Sequence, residues 1–128
     1  MLISLSCGCT STNIHSSTRL IVKKASYYQP GKTVIICDKI LIEGIKCLFA
    51  KASEAPFQPD LASTIIFRFE TFSGKHDEFH MCYYPNDPSN IIRVWHKNGM
   101  IEVSKDDFLR WCHKAKINLA KVIPREIR

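Results

Sequence analysis

Ile65-Ile66-Phe67-Arg68-Phe69, Phe79-His80-Met81-Cys82-Tyr83 and Ile91-Ile92-Arg93-Val94-Trp95 are the three runs whose reading decides the fold. Apolar side chains recur at every second position, the mark of strands that bury one face and expose the other. Turns containing Gly or Pro separate the runs, so an antiparallel meander is expected. Asn98-Gly99 follows the third run and is a strong signal for a two-residue type I′ hairpin. A turn centred on that pair sets Lys97 against Met100, His96 against Ile101, Trp95 against Glu102 and Val94 against Val103. Ile92, Val94, Ile101 and Val103 then share one face, with Arg93, Trp95 and Glu102 on the other. Ser104 next offers an N-cap hydroxyl, and Asp106 and Asp107 suit the positive end of a helix. Phe108, Trp111, Cys112 and Ala115 recur at helical spacing, which predicts an amphipathic helix over 104–117 packed on the sheet.

Outward from this stretch the signals weaken. Residues 1–18 end in a run of polar side chains that compete for backbone hydrogen bonds, so a flexible N-terminal segment is expected there. Residues 19–25 read as a strand, Pro30-Gly31 as a turn and 33–37 as a buried strand rich in β-branched residues. Residues 39–52 admit two readings. Leu41, Ile45, Leu48, Phe49 and Ala52 share one helical face; the same run also makes a hairpin about Glu43-Gly44. Its isoleucines and mid-run glycine favour the hairpin. Pro56 and Pro59 make 55–60 a loop. The whole, 1–128, is expected to be a single α+β domain. Its core is a mainly antiparallel sheet of five or more strands, packed by a C-terminal amphipathic helix.

Composition narrows the function classes only a little. The chain has 128 residues, 45% hydrophobic and 23% charged, as an ordinary soluble globule does. Its 18 Lys+Arg against 12 Asp+Glu give a net charge of +6, which favours nucleic acid, a nucleoprotein complex or an acidic protein surface as partner. No run approaches the length of a membrane span, so no membrane contact is expected. The first residues carry no basic segment before a short apolar one, unlike a secretory signal. A cytoplasmic setting is therefore expected, with the six cysteines as free, mostly buried thiols.

Four constellations could carry chemistry. Cys7 and Cys9, with His15 nearby, have ligand-type side chains, but structural zinc sites draw on two ligand pairs and the second is missing. No metal and no other cofactor is expected. Cys112 and His113 are adjacent on the expected helix and point apart, so they make no nucleophile–base pair. The polar sheet face holds Arg68, Glu70, His80, Arg93 and Trp95. Metal-independent RNA cleavage would use Glu70 and His80 as the acid–base pair, either one taking the 2′-hydroxyl proton, and Arg93 to stabilise the phosphorane charge. A one-sided sheet also exposes mixed charges for no reason but solvation. Finally, Arg110, Lys114 and Lys121 place cations on and beyond the C-terminal helix, where they could neutralise phosphates. The expected function is a small basic binding protein of regulator or inhibitor type, non-enzymatic, acting on nucleic acid or a nucleoprotein complex. Its contacts would be Arg68, Arg93, Trp95, Arg110, Lys114 and Lys121. The alternatives are a protein-binding module without nucleic-acid contact, and an RNase-like enzyme using Glu70, His80 and Arg93.

Overall fold

A computed structural model describes residues 17–24, 33–56, 58, 62–97 and 99–119. Among these residues seven strands and two helices follow in the order β1 (Ser17–Lys24), β2 (Val34–Ile36), α1 (Lys39–Ala50), β3 (Ser53–Ala55), β4 (Ile65–Thr71), β5 (His76–Cys82), β6 (Ile91–His96), β7 (Gly99–Ser104) and α2 (Lys105–Ala115). All seven strands join one sheet in the order β2-β1-β4-β5-β6-β7-β3, and every pairing is antiparallel. The fold is α+β, and the meander expected over β4 to β7 pairs in chain order.

One face of the sheet is the core. Leu20, Val22, Phe67, Phe69, Phe79, Met81, Val94 and Val103 are buried there. Both helices press on it: Phe49 of α1 stacks on Phe79 at 4.7 Å, and Phe108 of α2 meets Phe67 edge-on at 5.9 Å. Ser104 caps α2 by accepting from the Asp107 amide (3.3 Å). The helix ends at Ala115, short of the expected 117, because Lys116 turns left-handed (φ 58°) and the Ile117 amide closes back on Cys112 O.

The hairpin expected around Glu43-Gly44 is instead helix α1. Asp38 accepts from the amides of Ile40 (2.9 Å) and Leu41 (3.3 Å), a cap whose sequence signal the isoleucines obscured. The β-branched penalty is a few tenths of a kcal/mol per residue, against about 2 kcal/mol for burying each of Ile42 and Ile45. Gly44 does not break the helix. A Cβ there would come 3.3 Å from Trp111 Cδ1, so the missing side chain lets α2 approach, and Trp111 Nε1 donates to Leu41 O at 2.8 Å. Lys46 is also buried, with its ammonium on Glu43 at 3.1 Å.

Two further expectations are corrected. The strand read as buried over 33–37 is the edge strand β2, with Ile35 57% exposed. In the β6–β7 hairpin each partner is shifted by two residues from a turn centred on Asn98-Gly99: His96 pairs with Gly99, Trp95 with Met100, Arg93 with Glu102 and Ile92 with Val103. A two-residue shift keeps every side chain on its face, so apolar alternation does not distinguish the two registers. The observed one aligns Val94 with Ile101 and gives Arg93 an ion pair to Glu102 at 3.2 Å. Each such cross-strand pair contributes about 0.2–1 kcal/mol, together offsetting the roughly 1–2 kcal/mol cost of a left-handed Lys97 (φ 56°). Of the expected flexible segment, Ser17 and Thr18 already belong to β1, and the rest lies outside the described residues.

Because Asp38 acts only if α1 is a helix, Asp38→Ala should lower stability by about 1 kcal/mol in urea denaturation, and Asp38→Asn should keep most of it. An unchanged midpoint for Asp38→Ala would remove the cap.

Candidate functional site

Among the described residues no helix lies on the second face of the sheet, and strand pairing arranges its side chains in rows. One row reads Lys23, Ile66, His80, Trp95, Met100 and Ala55 across β1, β4, β5, β6, β7 and β3. On one side of it stand Ile35, Ile21, Arg68 and Glu78, then Arg19, Glu70 and His76; on the other, Cys82, Arg93, Glu102 and Ser53. Met100 is only 2% exposed and Cys82 is buried, so this face is covered toward β7. Its accessible part lies over β1, β4, β5 and β6, where Arg93 and Trp95 are half-buried.

Charges on this face neutralise one another. Arg19 and Arg68 both donate to Glu70, at 2.8 and 3.0 Å from their Nε atoms. Arg68 reaches on to Glu78 (3.5 Å), and His80 Nε2 lies 3.2 Å from the other Glu78 oxygen. A ladder Arg19–Glu70–Arg68–Glu78–His80 therefore crosses three strands. The Arg19 hydrogen bond, with Arg68 beside it, outweighs burial and holds the Glu70 carboxyl below its usual pKa.

The expected constellation does share this face, but not one point on it. Glu70 pairs with His76, four residues from His80, which at 3.3 Å per residue is about 13 Å. Arg93 sits opposite Cys82 with its guanidinium on Glu102. Glu70 is a weak base under two arginines, so Glu70, His80 and Arg93 are not assembled around one scissile bond. Arg68, Arg93 and Trp95 do belong to the face. Arg110 and Lys114 do not: they are exposed on α2, which packs on the core side, and Arg110 is held by Asp107 at 2.8 Å. The two sets of expected binding residues thus lie on opposite sides of the molecule. Lys121, Cys7 and Cys9 lie outside the described residues.

Among the described residues, no group of three or more His, Cys, Asp and Glu could hold a metal ion, and no helix is long and apolar enough to cross a membrane. A cavity of about 200 Å³ opens between the end of α1 and the first turn of α2, lined by Lys51, Ser53, Glu102 and Asp107 among others. It is smaller than common ligand pockets, and Arg93 and Arg110 already engage its two carboxylates.

Sequence reading missed two groups. Glu78 links Arg68 to His80, and is found once the β4–β5 register is known. His96 stacks on Phe79 at 3.9 Å and places Nε2 2.8 and 2.9 Å from the Asp77 oxygens. That contact depends on how β5 meets β6 across an eight-residue connection, 83–90, which no local signal specifies. No protein-family model, curated protein or solved structure matches the chain.

The expectation of six free thiols fails at Cys47, which is disulfide-bonded, whereas Cys37, Cys82 and Cys112 are free. Burial pushes the Cys82 thiol up to about 11, against the opposing pull of Arg93, and the Cys112 thiol up to about 12. Of these three, alkylation of the native protein should modify exposed Cys37 and spare the other two until denaturant is added. Mass mapping that finds Cys82 or Cys112 modified without denaturant would contradict their burial.

Glu70 gives a pH prediction. Its folded pKa is depressed, so as pH falls the unfolded chain takes the proton first. Its contribution is full above the unfolded carboxylate pKa and disappears as pH drops through the folded one. Glu70→Gln should therefore be less stable than wild type at neutral pH, with the gap closing on acidification. A gap independent of pH in urea titrations would sever this linkage.

Proposed function

We propose that the chain is a non-enzymatic binding protein that docks a partner on the open face of its sheet. The observation that carries this reading is the row Ile66–His80–Trp95, an apolar and aromatic band framed by ion-paired side chains. Protein-binding surfaces have this composition: an apolar centre rich in Trp and Arg within a polar rim. Charge balance supports a polypeptide partner, free or as the protein part of a nucleoprotein complex. Arg19, Arg68 and Arg93 each face Glu70, Glu78 or Glu102, which leaves little net charge for phosphate. By covering a partner's surface, such a protein would act as a regulator or inhibitor.

Direct contact with nucleic acid is the second reading, and α2 supports it. His113, Lys114 and Lys116 are exposed near its C-terminal end, and no carboxylate among the described residues pairs with either lysine. The expected cytoplasmic setting stays part of the proposal on the strength of three free thiols, while the disulfide at Cys47 argues for an oxidising compartment.

A pull-down from native lysate, with and without nuclease, separates the readings. Nuclease-resistant capture of one polypeptide, lost in Trp95→Ala or Arg68→Glu and kept in Lys114→Glu, is expected for the sheet face. Capture abolished by nuclease and by Lys114→Glu, but indifferent to Arg68→Glu, would overturn the first reading in favour of the second.

A further inference from the structure

The turn between β4 and β5 carries Phe72, which at 93% is the most exposed large apolar side chain among the described residues. The turn itself is well held. The Thr71 amide and hydroxyl both donate to Lys75 O, at 2.8 and 3.2 Å, and the Gly74 amide donates to Thr71 O at 3.1 Å. Gly74 adopts φ +92°, which side-chain-bearing residues rarely do. The ring is thus presented to water from a fixed hairpin tip.

A single exposed phenylalanine is unremarkable on its own. Its surroundings give this one a direction. Lys75 and His76 are exposed on the same hairpin, and Lys97 is exposed at the tip of the β6–β7 hairpin, at the same end of the sheet. Two strand spacings separate the hairpin tips laterally. The register sets Lys97 level with Glu78, about four residues short of the Phe72 turn, so the tips stand roughly 17 Å apart, a span of about two to three nucleotides. The nearby carboxylates are already engaged: Glu70 by Arg19 and Arg68, and Asp77 by His96.

We propose that this turn is a stacking finger for single-stranded nucleic acid, with a base on the Phe72 ring and phosphates on Lys75 and Lys97. Stacking uses one aromatic face and one unpaired base, and cations beside it follow the backbone. A membrane surface fits less well. Thr71, Ser73 and Lys75 surround one apolar ring, and even a myristoyl chain alone holds a protein only marginally. The site is distinct from the open face, so the proposal does not depend on the docking reading.

The test is a fluorescence-anisotropy titration of labelled oligothymidylate with the full chain at low salt. Wild type should bind saturably, and Phe72→Ala should weaken binding about tenfold, in line with the loss of one stacked base. Phe72→Trp should retain binding, with its emission quenched, and Lys75→Gln should flatten the salt dependence. Phe72 is exposed, so thermal unfolding of Phe72→Ala should match wild type and keep a folding defect from imitating the result. Absence of wild-type binding, or equal affinity for Phe72→Ala, overturns the proposal. So does Phe72-dependent capture by phosphatidylserine vesicles without oligonucleotide binding, which would make the finger a membrane contact.

Discussion

Phe67 lies at the joint on which the rest depends. It is fully buried on β4, the third strand of seven, with Phe49 of α1 5.5 Å away and Phe108 and Trp111 of α2 at 5.9 and 6.2 Å. One ring therefore seats both helices on the same side of the sheet. A cavity at such a position costs about 3–5 kcal/mol, a large share of the roughly 5–15 kcal/mol that holds a domain folded. The helices can share that side because Gly44 leaves room for Trp111 where they meet.

Seating both helices on one side decides what the other side must be. The side chains of β1, β4 and β5 that point away from Phe67 need water or one another, and they use one another: Arg19, Glu70, Arg68, Glu78 and His80 form a continuous ladder. Exposed pairs of this kind contribute about 0–1 kcal/mol each, too little to hold the fold. On the proposed docking reading, a partner would have to match or displace this fixed pattern of donors and acceptors, which would penalise wrong partners more than it strengthens the right one.

Much of this was legible in the sequence, for reasons that also mark the limits. Alternation in β4 to β7 assigned the faces correctly, because face membership depends only on parity along each strand. The same insensitivity hid the two-residue shift at the β6–β7 turn, where the Arg93–Glu102 contact rather than the Asn98-Gly99 signal identifies the register. Gly44 and the isoleucines of α1 misled because their role is tertiary: a glycine that admits an indole looks, in sequence, like a helix breaker. Lys46 and the His96–Asp77 pair were illegible for a similar reason, since burial and partners there come from distant segments. The polar constellation was legible as a face but not as a site. Being on one face says nothing about the four-residue offset that keeps Glu70 from His80.

The positions of the charges constrain function more than their sum. A net charge of +6 suggests one basic surface, yet the arginines of the open face are matched by glutamates. Among the described residues, cations outside these ion pairs stand on the outer side of α2, at Lys114 and Lys116, and on the hairpin tips, at Lys75 and Lys97. The Debye length at physiological salt is about 8 Å, and the sheet with its phenylalanine core separates α2 from the open face. Charge on one side is therefore felt weakly on the other. Binding on the two sides should be close to additive, and a single substitution should perturb one without the other. For a nucleoprotein partner, that separation would allow protein contact on the open face and phosphate contact elsewhere at the same time, with neither displacing the Arg–Glu ladder of the open face.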